Sequence, residues 1–270
     1  MRIIEETRGL IHAASRVPLS PAVTLAPSSP DPDHGLIETR VELTSRGDRV
    51  PWTLWQPQKN ANNRLVVLQF GLGEHIDSRH RATVRQLIDR GFSVATLDWP
   101  LHGTRHSPKL SARLLKAIDA TEDDPNGAGL VRYLVQQSAL DLGRALDWTA
   151  AQTPLSTDRI ALWGPVEATP LIALFAALDP RASVLALHGD PSAEGGRLPD
   201  AFELLARSTL DAMLWLAPNP TAPSSKAWSK ALRRICPGDV YTEAQEESPA
   251  EPLERASANR VCEFVNKNLA

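Results

Sequence analysis

The side chains capable of acid–base chemistry in this chain fall at recurring places. Glu74 and His75 follow the run "RLVVLQFGLG", and Asp98, His102 and His106 sit in "LDWPLHGTRH". Glu167 follows "RIALWGPV", and His188 and Asp190 close "ASVLALHGD". A histidine near a carboxylate does general acid–base work, and with a third ligand it holds a metal. A metal has no supporting ligand spacing here, so no metal and no other cofactor is expected. Each group also has a plainer reading. Asp98 and His102 hold the shape of a loop, His75 and His106 are surface loop residues, and His188 is a strand-end residue bonded to backbone.

These residues follow apolar runs, which makes them the ends of strands. Residues 1–16 read as a short amphipathic helix. Val17 to Gly35, with five prolines, reads as an extended connection. "LIETRVELTS" and "VPWTLWQP" flank Arg46, Gly47 and Asp48 as a β-hairpin, with "RGD" a plain turn. From Arg64 strands and helices alternate. "RLVVLQF", "FSVATLDW", "RIALWG", "ASVLALHG" and "DAMLWLA" are parallel-type strands. Helices lie in "ATVRQLIDRG", Gly129 to Gln152, "TPLIALFAAL", "SSKAWSKALRR" and "PLERASANRVCEFVNKNLA". The expected architecture is α/β: a doubly wound, mostly parallel sheet with an N-terminal antiparallel hairpin and a short lid. Residues 1–35 are the N-terminal helix and proline-rich connection, and 36–270 the main domain, with a lid over about 190–208.

Composition narrows the partners. The 270 residues are 42% hydrophobic and carry a net charge of −3, which gives neither nucleic acid nor an anionic membrane a reason to bind. Lys230, Arg233 and Arg234 read as a solvated helix end. Cys236 and Cys262 are the only cysteines and form no metal or redox spacing. The first residues carry Glu5 and Glu6 where a signal peptide would be basic, and no run approaches the ~20 apolar residues of a membrane span. The expectation is a soluble, cytoplasmic protein.

Taken in this order, the pieces resemble the α/β-hydrolase superfamily, and among its members the dienelactone-hydrolase and acetyl-xylan-esterase types. "VVLQFGLGEHIDS" is similar to the family's first catalytic-side strand and oxyanion loop, with Phe70 in the place of a histidine. "GFSVATLDWPLHGTR" resembles its Asp-x-Pro-x-His-Gly turn through Asp98, Pro100, His102 and Gly103. "LDLGRALDWTAAQTPLSTDRIALWG" looks like the helix and strand that deliver the nucleophile. The resemblance implies a Gly-x-Ser-x-Gly elbow, an acid after the strand "DAMLWLA", and a histidine before the last helix.

The chain departs from that pattern at all three places. The elbow reads Gly164, Pro165, Val166, Glu167, Ala168, so Val166 replaces the nucleophile and cannot attack a carbonyl. Asn219 stands at the acid position, where an amide cannot stabilise an imidazolium as a carboxylate does. Glu247 or Ser248 falls nearest the base position, and no histidine follows His188. The resemblance also implies an oxyanion hole from the backbone N–H groups of Leu72 and Glu167, where a Glu167 carboxylate would repel a substrate anion.

Three losses together exclude Ser-His-Asp hydrolysis. The first reading is a degenerate hydrolase, a pseudoenzyme whose apolar cavity binds a small molecule or a protein partner. Trp99, Trp163 and Trp215 are candidates to line that cavity or to pack beneath it. The alternative is an unconventional enzyme (a non-triad hydrolase, lyase, isomerase or cyclase) using Glu167, His75, His102 and Asp98 as acid–base groups. A third reading is assembly as a homodimer.

Overall fold

A strand covered on both sides must be apolar at every position, whereas one covered on a single side alternates. Leu65–Leu68 is of the first kind: all four side chains are buried. Leu65 and Val67 enter one core, and Val66 and Leu68 the other. The computed structural model describes residues 2–15, 23–31, 35–71, 78–119, 125–165, 168–189, 201–217, 219–236, 238–244 and 253–269. Its strands are β1 (Val23–Asp31), β2 (Leu36–Ser45), β3 (Asp48–Pro57), β4 (Leu65–Leu68), β5 (Ser93–Leu97), β6 (Ile160–Pro165), β7 (Ala182–His188), β8 (Ala212–Ala217) and β9 (Asp239–Ala244). The helices are α1 (Arg2–Ser15), α2 (Ser78–Asp89), α3 (Pro108–Asp119), α4 (Pro125–Gln152), α5 (Thr169–Leu178), α6 (Ala201–Leu205), α7 (Pro223–Ile235) and α8 (Leu253–Asn268).

The nine strands among the described residues join one sheet, in the order β1-β2-β3-β5-β4-β6-β7-β8-β9. β4 to β9 run parallel, and β1, β2 and β3 are antiparallel. Val84, Leu87 and Ile88 of α2 and Val261, Phe264 and Val265 of α8 cover one face of the sheet. The larger core on the opposite face takes residues from α4, α5, α6 and α7, together with Ile4 of α1. Cys236, just after α7, is buried in that larger core, and Cys262 of α8 in the other. Both thiols are free.

The hairpin forms as its sequence implies. Arg46 and Gly47 have φ of 50° and 84°, the left-handed pair of a primed two-residue turn. The register then runs unbroken from Ser45 opposite Asp48 to Leu36 opposite Pro57. Two elements correct the sequence reading. Val23–Asp31, inside the expected proline-rich connection, is an edge strand paired with β2. An edge strand has one unpaired side, so it accommodates Pro27 and Pro30, which cannot donate to a ladder. The second is β9, which extends the sheet beyond β8 where no strand was expected. Its "DVYTEA" is half-exposed and polar at alternate positions, so it has no apolar run. Of the expected lid, 190–200 lie outside the described residues, and 201–205 form α6, which packs against α5 and α7.

This topology gathers one edge of the sheet. The C-terminal ends of the parallel strands open on it. β3 runs opposite to β5, with Trp52 beside Leu97, so the start of β3 reaches the same edge.

Candidate functional site

β6 lies between β4 and β7 near the middle of the sheet and leads into α5 through residues 166–168. The approach to this turn is tight. A Cβ on Gly164 would stand 2.7 Å from Ile172 Cδ1 and 3.5 Å from Gln69 Cβ, so strand and helix pack closely only because the residue is glycine. Pro170 sits in the first turn of α5, where a missing N–H costs nothing. Val166 and Glu167 themselves lie outside the described residues, as do Leu72, Glu74, His75, Asp190, Glu247 and Ser248.

Asn219 is described, and it is occupied. Its Oδ1 accepts the Thr221 N–H at 3.2 Å and the Thr221 hydroxyl at 2.8 Å, on an exposed turn leading into α7. The amide closes its own turn. His188, at the end of β7, is paired with Pro165 across the sheet, directly beside the elbow. The Trp163 indole N–H donates to His188 Nδ1 at 3.2 Å, so that nitrogen is an acceptor and the ring proton sits on Nε2.

Asp98 and His102 share the loop after β5. The Asp98 carboxylate accepts the Thr104 N–H at 2.8 Å and the Thr104 hydroxyl at 2.6 Å, which caps the single 3-10 turn Gly103–Arg105. Gly103 has φ of 53°, and a Cβ there would stand 2.4 to 2.6 Å from the Asp98 carboxyl atoms. The Trp99 indole donates to the Phe70 carbonyl at 3.0 Å and ties the loop to the end of β4. His102 is buried, and its Nδ1 lies 2.8 Å from the Pro100 carbonyl, to which it must donate. Its Nε2 is buried with no hydrogen-bond partner among the described residues. Burial outweighs the opposing pull of that carbonyl and of Asp98 and holds the ring's pKa below its ordinary value, so His102 is neutral near pH 7. The two residues thus stand close, but each is bonded to the loop rather than to the other. Trp99, Trp163 and Trp215 are all buried with their N–H groups satisfied, which makes them packing residues.

Beside this loop a groove of about 730 Å³ opens between the start of β3, the loop and α4. Asp48, Arg49, Arg81, Arg105, His106 and Tyr133 give it both signs of charge. Arg105 organises one wall. Its guanidinium donates to Asp141 at 2.7 Å and to the Asp98 carbonyl at 3.2 Å, and lies 3.6 Å from Asp48. Asp141 is wholly buried on α4 and also accepts from Gln137 at 2.6 Å. Burial pushes its carboxyl pKa up, against the pull of Arg105. The Tyr133 hydroxyl donates to Asp48, and burial with that contact pushes the phenol above its usual range. Sequence reading missed this network. Its one available signal was an aspartate set among leucines on α4, with Leu140 and Leu142 also buried. Among the described residues no His, Cys, Asp and Glu side chains gather as a metal-ligand set, and no helix is long and apolar enough to cross a membrane.

No protein-family model matches this chain, and no curated protein matches its sequence. Solved structures do. An acetyl xylan esterase from a Paenibacillus species superposes with a TM-score of 0.68 over 97% of this chain and 93% of that one, at 15% identity. Acetyl xylan esterase 1 from a Thermoanaerobacterium species gives 0.67 over 99% and 94%, at 14% identity. A dienelactone hydrolase from Anabaena variabilis gives 0.62 over 87% and 99%, at 17% identity. The chain has the α/β-hydrolase fold. At such identities the likeness speaks for the α/β-hydrolase fold alone, and the chemistry has to be argued from this chain's own residues.

Proposed function

We propose that this α/β-hydrolase-fold protein binds a small polar molecule or a protein partner without hydrolysing it. One observation carries the reading: the chain that links β6 to α5 is Val166, Glu167 and Ala168, which offers no hydroxyl or thiol. The acid position supports it, since Asn219 spends its amide oxygen on Thr221. So does the base position, because the chain has no histidine beyond His188. The groove beside the Asp98 loop, with both signs of charge at the strand ends, is the place for a small ligand. Two free buried cysteines favour a reducing compartment such as the cytoplasm.

The test has two arms. The purified protein is incubated with p-nitrophenyl acetate and with a fluorophosphonate probe, and neither turnover nor labelling is expected. Labelling of any serine would sink the reading. In parallel, a thermal-shift screen of small acids, esters and lactones is expected to give a ligand whose effect disappears in Arg81→Ala.

A second reading keeps acid–base chemistry and rests on His102, a buried ring whose Nε2 has no partner among the described residues. With Asp98, Glu167 and His75 as further acid–base groups, it would serve a lyase or isomerase. His102→Asn keeps a donor for the Pro100 carbonyl and removes the free nitrogen. If a reaction is found, loss of turnover in this variant at unchanged melting temperature supports the second reading, and unchanged turnover rejects it.

A further inference from the structure

At the far side of the sheet, the last crossover carries a charge pattern that the elbow and its groove do not use. α7 contains four cations, Lys226, Lys230, Arg233 and Arg234, and no acidic residue. All four are exposed. Their spacing puts them on one stripe of the helix, about 100° wide and about 12 Å long. With Ser229 and Thr242 they line a groove of about 430 Å³ between α7 and β9. The Ser229 and Thr242 hydroxyls meet there at 2.7 Å.

Nothing described neutralises this stripe. Arg159, Arg181 and Arg260 elsewhere each have a carboxylate partner, but none of the four cations has one among the described residues. The helix dipole accounts for Arg233 and Arg234 in the last turn. It opposes Lys226, which stands in the first turn at the positive end. β9 cannot supply the missing charge. Val240 packs into the core on the α7 side and Tyr241 into the core on the other. Strand alternation therefore turns Asp239 and Glu243 away from the groove, and Glu243 pairs with Arg260 of α8 on that opposite face.

We propose that this groove docks an extended acidic segment of a partner protein. Lys226, Lys230 and Arg234 recur every ~6 Å along α7. Carboxylates on alternate residues of an extended chain recur every ~7 Å, so three successive acids meet three successive cations. The two hydroxyls supply a polar floor for the segment's backbone. A compact anion would reach only part of the stripe. A single nucleic-acid strand has a similar charge repeat, but the described residues lining the groove include no aromatic ring on which a base could stack.

Fluorescence anisotropy with a labelled peptide of alternating glutamate and serine, five of each, tests the proposal on the full chain. Binding is expected at about 50 mM salt and should weaken as salt is raised. Lys230→Glu with Arg234→Glu should weaken it about ten-fold or more. Lys109→Glu with Lys116→Glu, the same charge change on α3, should leave it unchanged. The milder pair Lys226→Gln with Lys230→Gln should weaken it partially and covers the case in which charge reversal unfolds α7. The idea is overturned if reversal on α7 and on α3 have the same effect. It is also overturned if pyrophosphate at equal concentration displaces the peptide, or if a thymidine decanucleotide binds more tightly than the peptide does.

Discussion

Gly103 and His102 show how closely the loop after β5 is specified by single residues. With φ of 53° and the Asp98 carboxylate where its Cβ would stand, Gly103→Ala combines backbone strain with a clash. A loss of about 2 kcal/mol is expected, read as a lower urea midpoint at unchanged slope. His102 makes the fold sensitive to acid. The unfolded ring takes up its proton near pH 6.5, whereas burial keeps the folded ring neutral to lower pH. As pH falls through 6.5 the unfolded chain binds the proton first, and stability declines until the folded ring titrates as well. The urea midpoint should therefore drop between about pH 7 and pH 5, with a smaller drop in His102→Asn. An equal drop in the variant would assign the effect to other groups.

Between elements, the Arg105 guanidinium is the joint that fastens the loop after β5 to α4. Removing it in Arg105→Ala strands the wholly buried Asp141 carboxylate, at an expected cost of about 3–5 kcal/mol. Arg105→Met with Asp141→Leu should recover most of that loss, because neither charge is then buried alone. A double-mutant cycle by chemical denaturation checks both statements. This joint also marks the limit of what the sequence discloses. β4 to β8 are legible because strands covered on both faces are apolar throughout. β1 hides behind prolines that only an edge tolerates, and β9 behind alternating polar residues. At the site, Asp98 and His102 are legible from one compact turn, and Asn219 from its place after β8. Arg105, Asp141, Asp48 and Tyr133 meet across 36 and 85 positions of chain, a proximity that no local spacing encodes.

Across the whole molecule, the sheet order sets a gradient of protection. β4, β6 and β7 lie inside a continuous ladder, while β1 and β9 are its ends. Native-state hydrogen exchange should find the amides of Val66, Leu162 and Leu185 opening only with global unfolding, and those of β9 opening earlier. Uniform protection across the sheet would contradict this. The two buried thiols extend the same logic to the third dimension. Cys236 lies in the core on the α7 side and Cys262 in the core under α8. Burial raises both thiol pKa values, that of Cys262 to about 12, so neither reacts while its own layer is closed. Each cysteine is thus a clock for one layer. The labelling rate of Cys236→Ser reports the opening of the α8 side alone, and that of Cys262→Ser the opening of the α7 side. Equal rates would mean that the sheet sheds both coats in one event, and unequal rates would name the coat that comes off first.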